Sequence, residues 1–380
     1  MIFSHACCRR VLISFFLVQV LSASAGGGFS LLRKLGAFID SMSVRGVDRS
    51  YIDAPREPWQ IILKGNVNQS YLKMKTSTTL YDVHINAQPK LQTEPSQYVG
   101  LWVGYRGYGL GYTFNVGGDK GGYLTFGATG GSYGVNLRIH SFENDSPKFG
   151  LESDILTEED EASWNDVKLV SPIKVRTLIA DGYYLFNGKH FSYSAAYDQS
   201  VIQKRSAGSL MAGAMYYYGR IDYADRTNGD LIYLMQGLGK IKLWQASVGV
   251  GYAYNWVPAR NVLVSAMAMP MLTFVNKIKA YGYTTNVSEM MKDPRFLGQG
   301  LTDEEWDAWY YDTISISPAG ESSFNSGMTV NVDARLSLTY NFGRYFINAY
   351  GQYFNFRYRH NDSYGRLSDW FVNAAFGVRL

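Results

Sequence analysis

Asp82 and His84 stand two positions apart in YDVHIN, on one side of any extended segment, and form a local pairing of an acid with an imidazole. A base oriented by a carboxylate is half of a hydrolytic arrangement, which also needs a nucleophile or a held water. Neither Gly-x-Ser-x-Gly nor His-Glu-x-x-His accompanies the pair, and His140, His190 and His360 are scattered. Such patterns gain meaning only in structural context, so a barrel-embedded hydrolase acting on lipid or peptide is a runner-up that rests on His84. A second candidate is the acidic run from Phe142 to Asp166, with Glu152, Asp154, Glu158, Asp160 and Glu161. Clustered carboxylates can hold Ca²⁺, but the Asp-x-Asp-x-Asp-Gly spacing is missing. The run reads as a solvated loop, and no metal or cofactor is implied. The third is QKRSAGS, where Lys204 and Arg205 head a strand as either head-group contacts or lumen-facing cations that select anionic solutes.

Those groups need a scaffold, and the spacing of apolar residues supplies it. In LWQASVGVGYAYNW, Trp244, Val248, Val250, Tyr252, Tyr254 and Trp256 take one side of an extended chain, while Gln245, Ser247, Gly249, Gly251, Ala253 and Asn255 take the other. VNVDARLSLTYNF repeats the pattern, with Leu336, Leu338 and Tyr340 against Asp333, Arg335, Ser337 and Thr339. Asp333 and Arg335 thus join Lys204 and Arg205 as candidate lumen-facing residues. WFVNAAFGVRL carries the alternation from Trp370 to the C-terminal Leu380.

Alternation alone fits a soluble sandwich as well as a membrane barrel. Trp244 and Trp256 separate the two, because twelve positions at ~3.3 Å each make about 40 Å of strand, or roughly 30 Å of height at a 40° tilt. That height matches an apolar band edged by aromatic rings, and Trp244, Tyr254, Trp256, Tyr340 and Trp370 are the expected girdle. Aromatics make up 15% of the chain and charged residues 18%, against about 25% charged in ordinary soluble domains. The net charge of +4 is too small to argue for nucleic acid.

The chain opens with MIFSHACCRR, an apolar VLISFFLVQVL and Ala23-x-Ala25, the order of a secretory signal peptide cleaved after Ala25. Cys7 and Cys8 leave with it. Residues 26–57 read as a periplasmic segment with a short amphipathic helix over Leu31, Leu35, Phe38 and Met42. Residues 58–380 read as one all-β domain, a transmembrane antiparallel up-and-down barrel of about 12 strands within a range of 10 to 14. Short turns are expected at Arg106-Gly107, Asn187-Gly188, Pro258-Ala259 and Gly343-Arg344, with long connections around 142–170, 224–240, 279–328 and 360–368. FSYSAAYDQSVIQKRSAGS fits either a strand with its turn or a loop folded inward, and the side taken by the acidic run depends on which.

DRSYIDAP (48–55), YRGYGLGYTF (105–114), YYLFNGKHFS (183–192) and QKRSAGS (203–209) resemble a Bacteroidetes outer-membrane β-barrel family catalogued as a domain of unknown function. The resemblance implies an outer-membrane barrel of a Gram-negative bacterium and supplies no catalytic residues. The expected role is a porin-like channel, a surface-binding barrel or a structural barrel for small polar solutes. Expected partners are lipid, lipopolysaccharide and the barrel-assembly machinery, the last through the C-terminal strand 369–380. Membership of a larger envelope assembly is a further alternative. EEWDAWYY offers Trp306, Trp309, Tyr310 and Tyr311 as its anchor unless they fold back onto the barrel rim.

Overall fold

The computed structural model describes residues 46–380 apart from 81–82, 154–161, 167, 299 and 361–362. The expected signal peptide and the stretch from Leu31 to Met42 lie outside the described residues. Twelve antiparallel strands form the barrel: β1 (Trp59–Leu80), β2 (Ser96–Tyr105), β3 (Tyr108–Gly117), β4 (Lys120–Thr129), β5 (Tyr133–Asn144) and β6 (Ile173–Leu185) make one half. The other half is β7 (Ala207–Asp222), β8 (Leu238–Ala259), β9 (Val262–Thr285), β10 (Thr329–Phe342), β11 (Tyr345–His360) and β12 (Ser363–Arg379). Each strand pairs with the next, and β12 returns to β1 with Val372 opposite Val67. Trp59 and Leu380 exchange backbone hydrogen bonds of 3.1 and 2.9 Å, which closes the ring where β12 meets the start of β1. A ring without a free ladder removes the edge that an open sheet would expose.

The period-2 pattern decides which way each side chain points. Val250, Tyr252, Tyr254, Trp256, Leu336, Leu338 and Tyr340 are exposed, whereas Ser247, Ala253, Asn255, Asp333, Arg335 and Thr339 are buried. The apolar face therefore looks outward and the polar face inward, the reverse of a soluble sandwich. Of the expected girdle, Tyr254, Trp256 and Tyr340 sit on the outer face near the short turns, Trp370 sits on it farther up β12, and Trp244 is half-buried beside Tyr218.

One end of the barrel gathers Trp59, Leu380 and the connections 106–107, 130–132, 260–261 and 343–344. Arg106 and Gly107 both have positive φ, 50° and 88°, the hairpin geometry whose twist matches the strands. Two expected turns differ. β8 runs through Pro258-Ala259, so its turn is Arg260-Asn261, with Asn261 taking the left-handed conformation at φ 70°. Asn187-Gly188 is no hairpin: it opens a loop, residues 186–206, that folds into the barrel. The long connections 81–95, 145–172, 223–237 and 286–328 all leave from the opposite end, which settles the side of the acidic run. Part of that run, Lys148–Ser153 and Ala162–Asp166, adds strands to Val83–Gln92, which folds back antiparallel on the distal part of β1.

The interior is layered, not uniformly small and polar as the β8 pattern predicts. Toward the long connections it is filled by Ile179, Met215, Tyr217, Ile241, Leu243, Phe354 and Phe356. The small residues of β8 are the complement of large ones on neighbouring strands. A Cβ at Gly251 would lie 2.7 Å from the Met269 side chain, and one at Gly213 would lie 2.7 Å from its terminal methyl. The YGLGY glycines work in the same way. Cβ atoms at Gly109, Gly111 and Gly127 would stand 2.5, 2.8 and 2.9 Å from the indole of Trp102, which lies in the slot these three residues leave. Phe274 is an extra residue in β9, opposite the step from Ala246 to Ser247. This bulge moves the inward set from odd to even positions, so Asn276 and Ile278 are buried.

Candidate functional site

Asp198, Arg335 and the loop that carries Asp198 form the core of the site. Within that loop, α1 (Tyr193–Tyr197) is a single short helical turn with Ser192 as its N-cap, the Ser192 hydroxyl accepting from Ala195 N at 3.1 Å. Tyr193, Ser194, Ala195 and Ala196 are all buried. Polar side chains from around the wall reach the loop backbone, because a loop inside a barrel must have its carbonyls satisfied. Asn255 of β8 donates to Ser192 O at 2.8 Å, and Ser337 of β10 donates to Ala196 O at 2.6 Å. Asn348 of β11 also reaches Ala196 O, at 3.3 Å, and Arg379 of β12 donates twice to Gln199 O, at 2.9 and 3.2 Å. Thr129 of β4 donates to the Asp198 carboxylate.

Gln203 latches the loop. Its side chain accepts from Ser192 N and Asn255 and donates to His190 O and Arg205 O. Ile52–Asp53 pairs with Ile202–Gln203, and Asp48 N donates to Lys189 O at 2.8 Å. DRSYIDAP, the end of YYLFNGKHFS and QKRSAGS therefore meet in one place. The Asp48 carboxyl is held below the usual aspartate range, chiefly by hydrogen bonds from Ser50, with His190 adding to the effect.

Above the loop, Arg335 is enclosed between Asp333 at 2.9 Å and Asp181 at 3.2 Å. Its guanidinium also donates to the hydroxyls of Tyr193 and Tyr183. Tyr183 donates to Asp333 at 2.5 Å and Gln352 donates to the same carboxylate at 3.0 Å. A buried charge is tolerable only when paired and hydrogen-bonded in this way. Beside the cluster is a cavity of about 120 Å³ whose lining includes Lys64, Arg138, Asp181 and Asp198. It is polar and roomy enough for water.

Of the candidates from sequence, Asp333 and Arg335 come together in this cluster. Lys204 and Arg205 do not line the interior. Both are exposed at the turn end, because Gln203 is drawn inward and the pairing with Ile52–Asp53 turns the next two residues out. Arg205 instead lies over the ring of Tyr51 at 5.6 Å. Asp82 and the side chain of His84 fall outside the described residues, as do residues 154–161 of the acidic run and the side chains of 151–167. His140 is buried between Tyr123 and Phe142 and bonded to Tyr98, and His190 faces Asp48 and Asn187. No group of three metal-ligating side chains occurs among the described residues. EEWDAWYY lies in α2 (Asp303–Thr313) and packs on its own connection: the Trp306 indole donates to Phe296 O, and Tyr310 joins Val287 and Met290.

Residues 46–379 match the model of a family described as a domain of unknown function, DUF4421. The chain belongs to this family. No curated protein matches it. Among solved structures, the chain is similar to the beta domain of the Bordetella autotransporter BrkA at 10% identity and a TM-score of 0.32, with 85% of this chain and 100% of that one covered. It is also similar to the outer membrane protein OprG of Pseudomonas aeruginosa at 10% identity and a TM-score of 0.26, covering 85% and 96%. A third likeness is the toluene transporter TodX of P. putida at 9% identity and a TM-score of 0.27, covering 86% and 91%. In this DUF4421 chain the residues that sequence reasoning missed are Gln203, Asn255, Asn348 and Arg379. For Asn255, Asn348 and Arg379 the signal was an amide or a cation at an inward-facing strand position; Gln203 lies in the loop, where alternation gives none.

Proposed function

We propose that this DUF4421 protein is an integral outer-membrane barrel of a Gram-negative bacterium, stoppered at its periplasmic end, which binds a ligand from the outer face and does not conduct solutes. The observation that carries this reading is the loop 186–206, hydrogen-bonded into the wall by β4, β8, β10, β11 and β12. The Arg335 cluster and the apolar layer fill the barrel above it. Membrane insertion is supported by the outward set, in which Val250 is 62% exposed, Leu336 60% and Leu101 55%. An apolar belt of that kind belongs against acyl chains, and a closed barrel is the β form that lipid accepts. In this reading residues 1–25 direct export, lipid and lipopolysaccharide contact the belt, and the assembly machinery engages strand 369–380.

Purified protein in planar bilayers tests the reading. The account expects no steady conductance from the intact chain. Steady conductance from the intact chain would sink it.

A further inference from the structure

The outer surface of β6 to β9 changes character at the end of the barrel that carries the long connections. Leu178, Tyr218 and Trp244 lie side by side on β6, β7 and β8, with Lys277 of β9 beside Trp244. Two residues nearer the long connections, Arg176, Arg220, Lys242 and Lys279 stand directly opposite one another, one cation from each of the four strands. Neighbouring strands are about 4.8 Å apart, and like charges directly opposite on a sheet repel. Lys174 and Lys240 follow in the next row, on either side of Asp222. The carboxylates among the described residues of this face do not balance the cations. Asp222 reaches Arg220 at 2.6 Å and Lys240 at 3.4 Å, Glu321 reaches Lys279 at 2.8 Å, and Glu143 stands opposite Lys174. Arg176, Lys242 and Lys277 have no carboxylate partner among the described residues. The ring of Tyr281 keeps three ammonium groups together, with Lys240, Lys242 and Lys279 at 4.9, 5.3 and 5.3 Å from its centroid.

The height of this patch specifies its counter-charge. Two residues of strand are about 6.6 Å, so the cations stand just outside the Tyr218 and Trp244 rings, at the level where aromatic side chains give way to lipid head groups. An anion anchored by acyl chains fits both zones at once, its phosphates on guanidinium and ammonium groups and its chains on the apolar belt beneath. We infer that the outer surface of β6 to β9 binds the phosphorylated, acylated disaccharide of lipopolysaccharide, lipid A, through Arg176, Arg220, Lys242 and Lys279. The inference gives a place to the lipopolysaccharide contact proposed above and rests on the membrane placement proposed there.

The test uses the full chain in neutral detergent, with native mass spectrometry reading bound lipid and three probes: lipid A with two phosphates, lipid A with one, and phosphatidylglycerol. Wild type is expected to bind the two-phosphate form tightest. Arg176→Gln and Lys242→Gln should each weaken that binding by about 5-fold, the usual worth of a Lys or Arg at an anionic membrane surface, and the pair by roughly 25-fold. Lys204→Gln with Arg205→Gln removes the same charge at the turn end and should leave binding unchanged. All variants should keep the heat-modifiable gel mobility of a folded barrel, since the patch is solvent-facing and its cations repel. Equal binding of the three probes, undiminished binding in the Arg176→Gln/Lys242→Gln pair, or an equal loss in the turn-end control would each overturn the proposal. Quenching of Trp256 by brominated lipid reports separately on membrane placement. Quenching without a two-phosphate preference removes this site alone, and absence of quenching removes the reading beneath it.

Discussion

Arg335 is the residue on which the middle of the barrel is organised. Asp333 and Asp181 face one another across its guanidinium, and Tyr183 and Gln352 complete the bonding of Asp333. Removing one member of a buried ion cluster leaves the others uncompensated, which generally costs about 3–5 kcal/mol, whereas replacing the whole set by neutral groups is far milder. Arg335→Met should therefore lower the unfolding free energy of the refolded barrel, read from urea titration, by a margin of that order. Combining it with Asp181→Asn and Asp333→Asn should recover most of the loss. If the single and triple variants unfold at the same urea concentration, the cluster is not held by charge pairing. Asp333 and Arg335 were legible as inward-facing from alternation alone. Their partners Asp181 and Tyr183 were not, since these lie some 150 positions away in the chain and alternation carries no register between distant strands.

At the scale of elements, the strands were easier to read than what joins them. β8 and β10 announce themselves because each position answers to one of two environments. The loop 186–206 has no such period, and Asn187-Gly188 mimics a hairpin turn. What commits the segment inward is a set of hydrogen bonds to its backbone from residues far along the chain, Asn255, Ser337 and Arg379 among them. The bulge at Phe274 was likewise invisible, because one extra residue changes the facing of everything beyond it without altering composition. Gln203 is the latch of the loop, and its loss should be felt locally. Gln203→Ala leaves Ser192 N and the Asn255 amide short of a partner at roughly 1–3 kcal/mol. Amide exchange across residues 192–199 should accelerate by about 10- to 100-fold while the β8 amides keep their protection. Equal acceleration in both would mean that the loop and the wall open as one unit.

For the whole molecule, the sequence disclosed the class and sidedness of the barrel but not its filling. The outward face has one task, so its residues share one character. The inward face carries a loop, an ion cluster and an apolar layer at successive heights, and each asks for different side chains. The outer rim at the turn end is also more aromatic than five residues predicted. Trp59 packs edge-on against Tyr105 at 4.8 Å, and Tyr340, Phe342, Tyr345 and Phe376 form a run of stacked rings. In the function proposed above, the loop end of this filled barrel is where recognition would sit.

The most direct test of this account compares single-tryptophan versions of the chain reconstituted in brominated lipid. Trp256 is 52% exposed on the outer face, whereas Trp102 is 7% exposed among the interior glycines. The account predicts strong quenching of Trp256 and little of Trp102. Quenching of Trp102 with Trp256 left bright would contradict it.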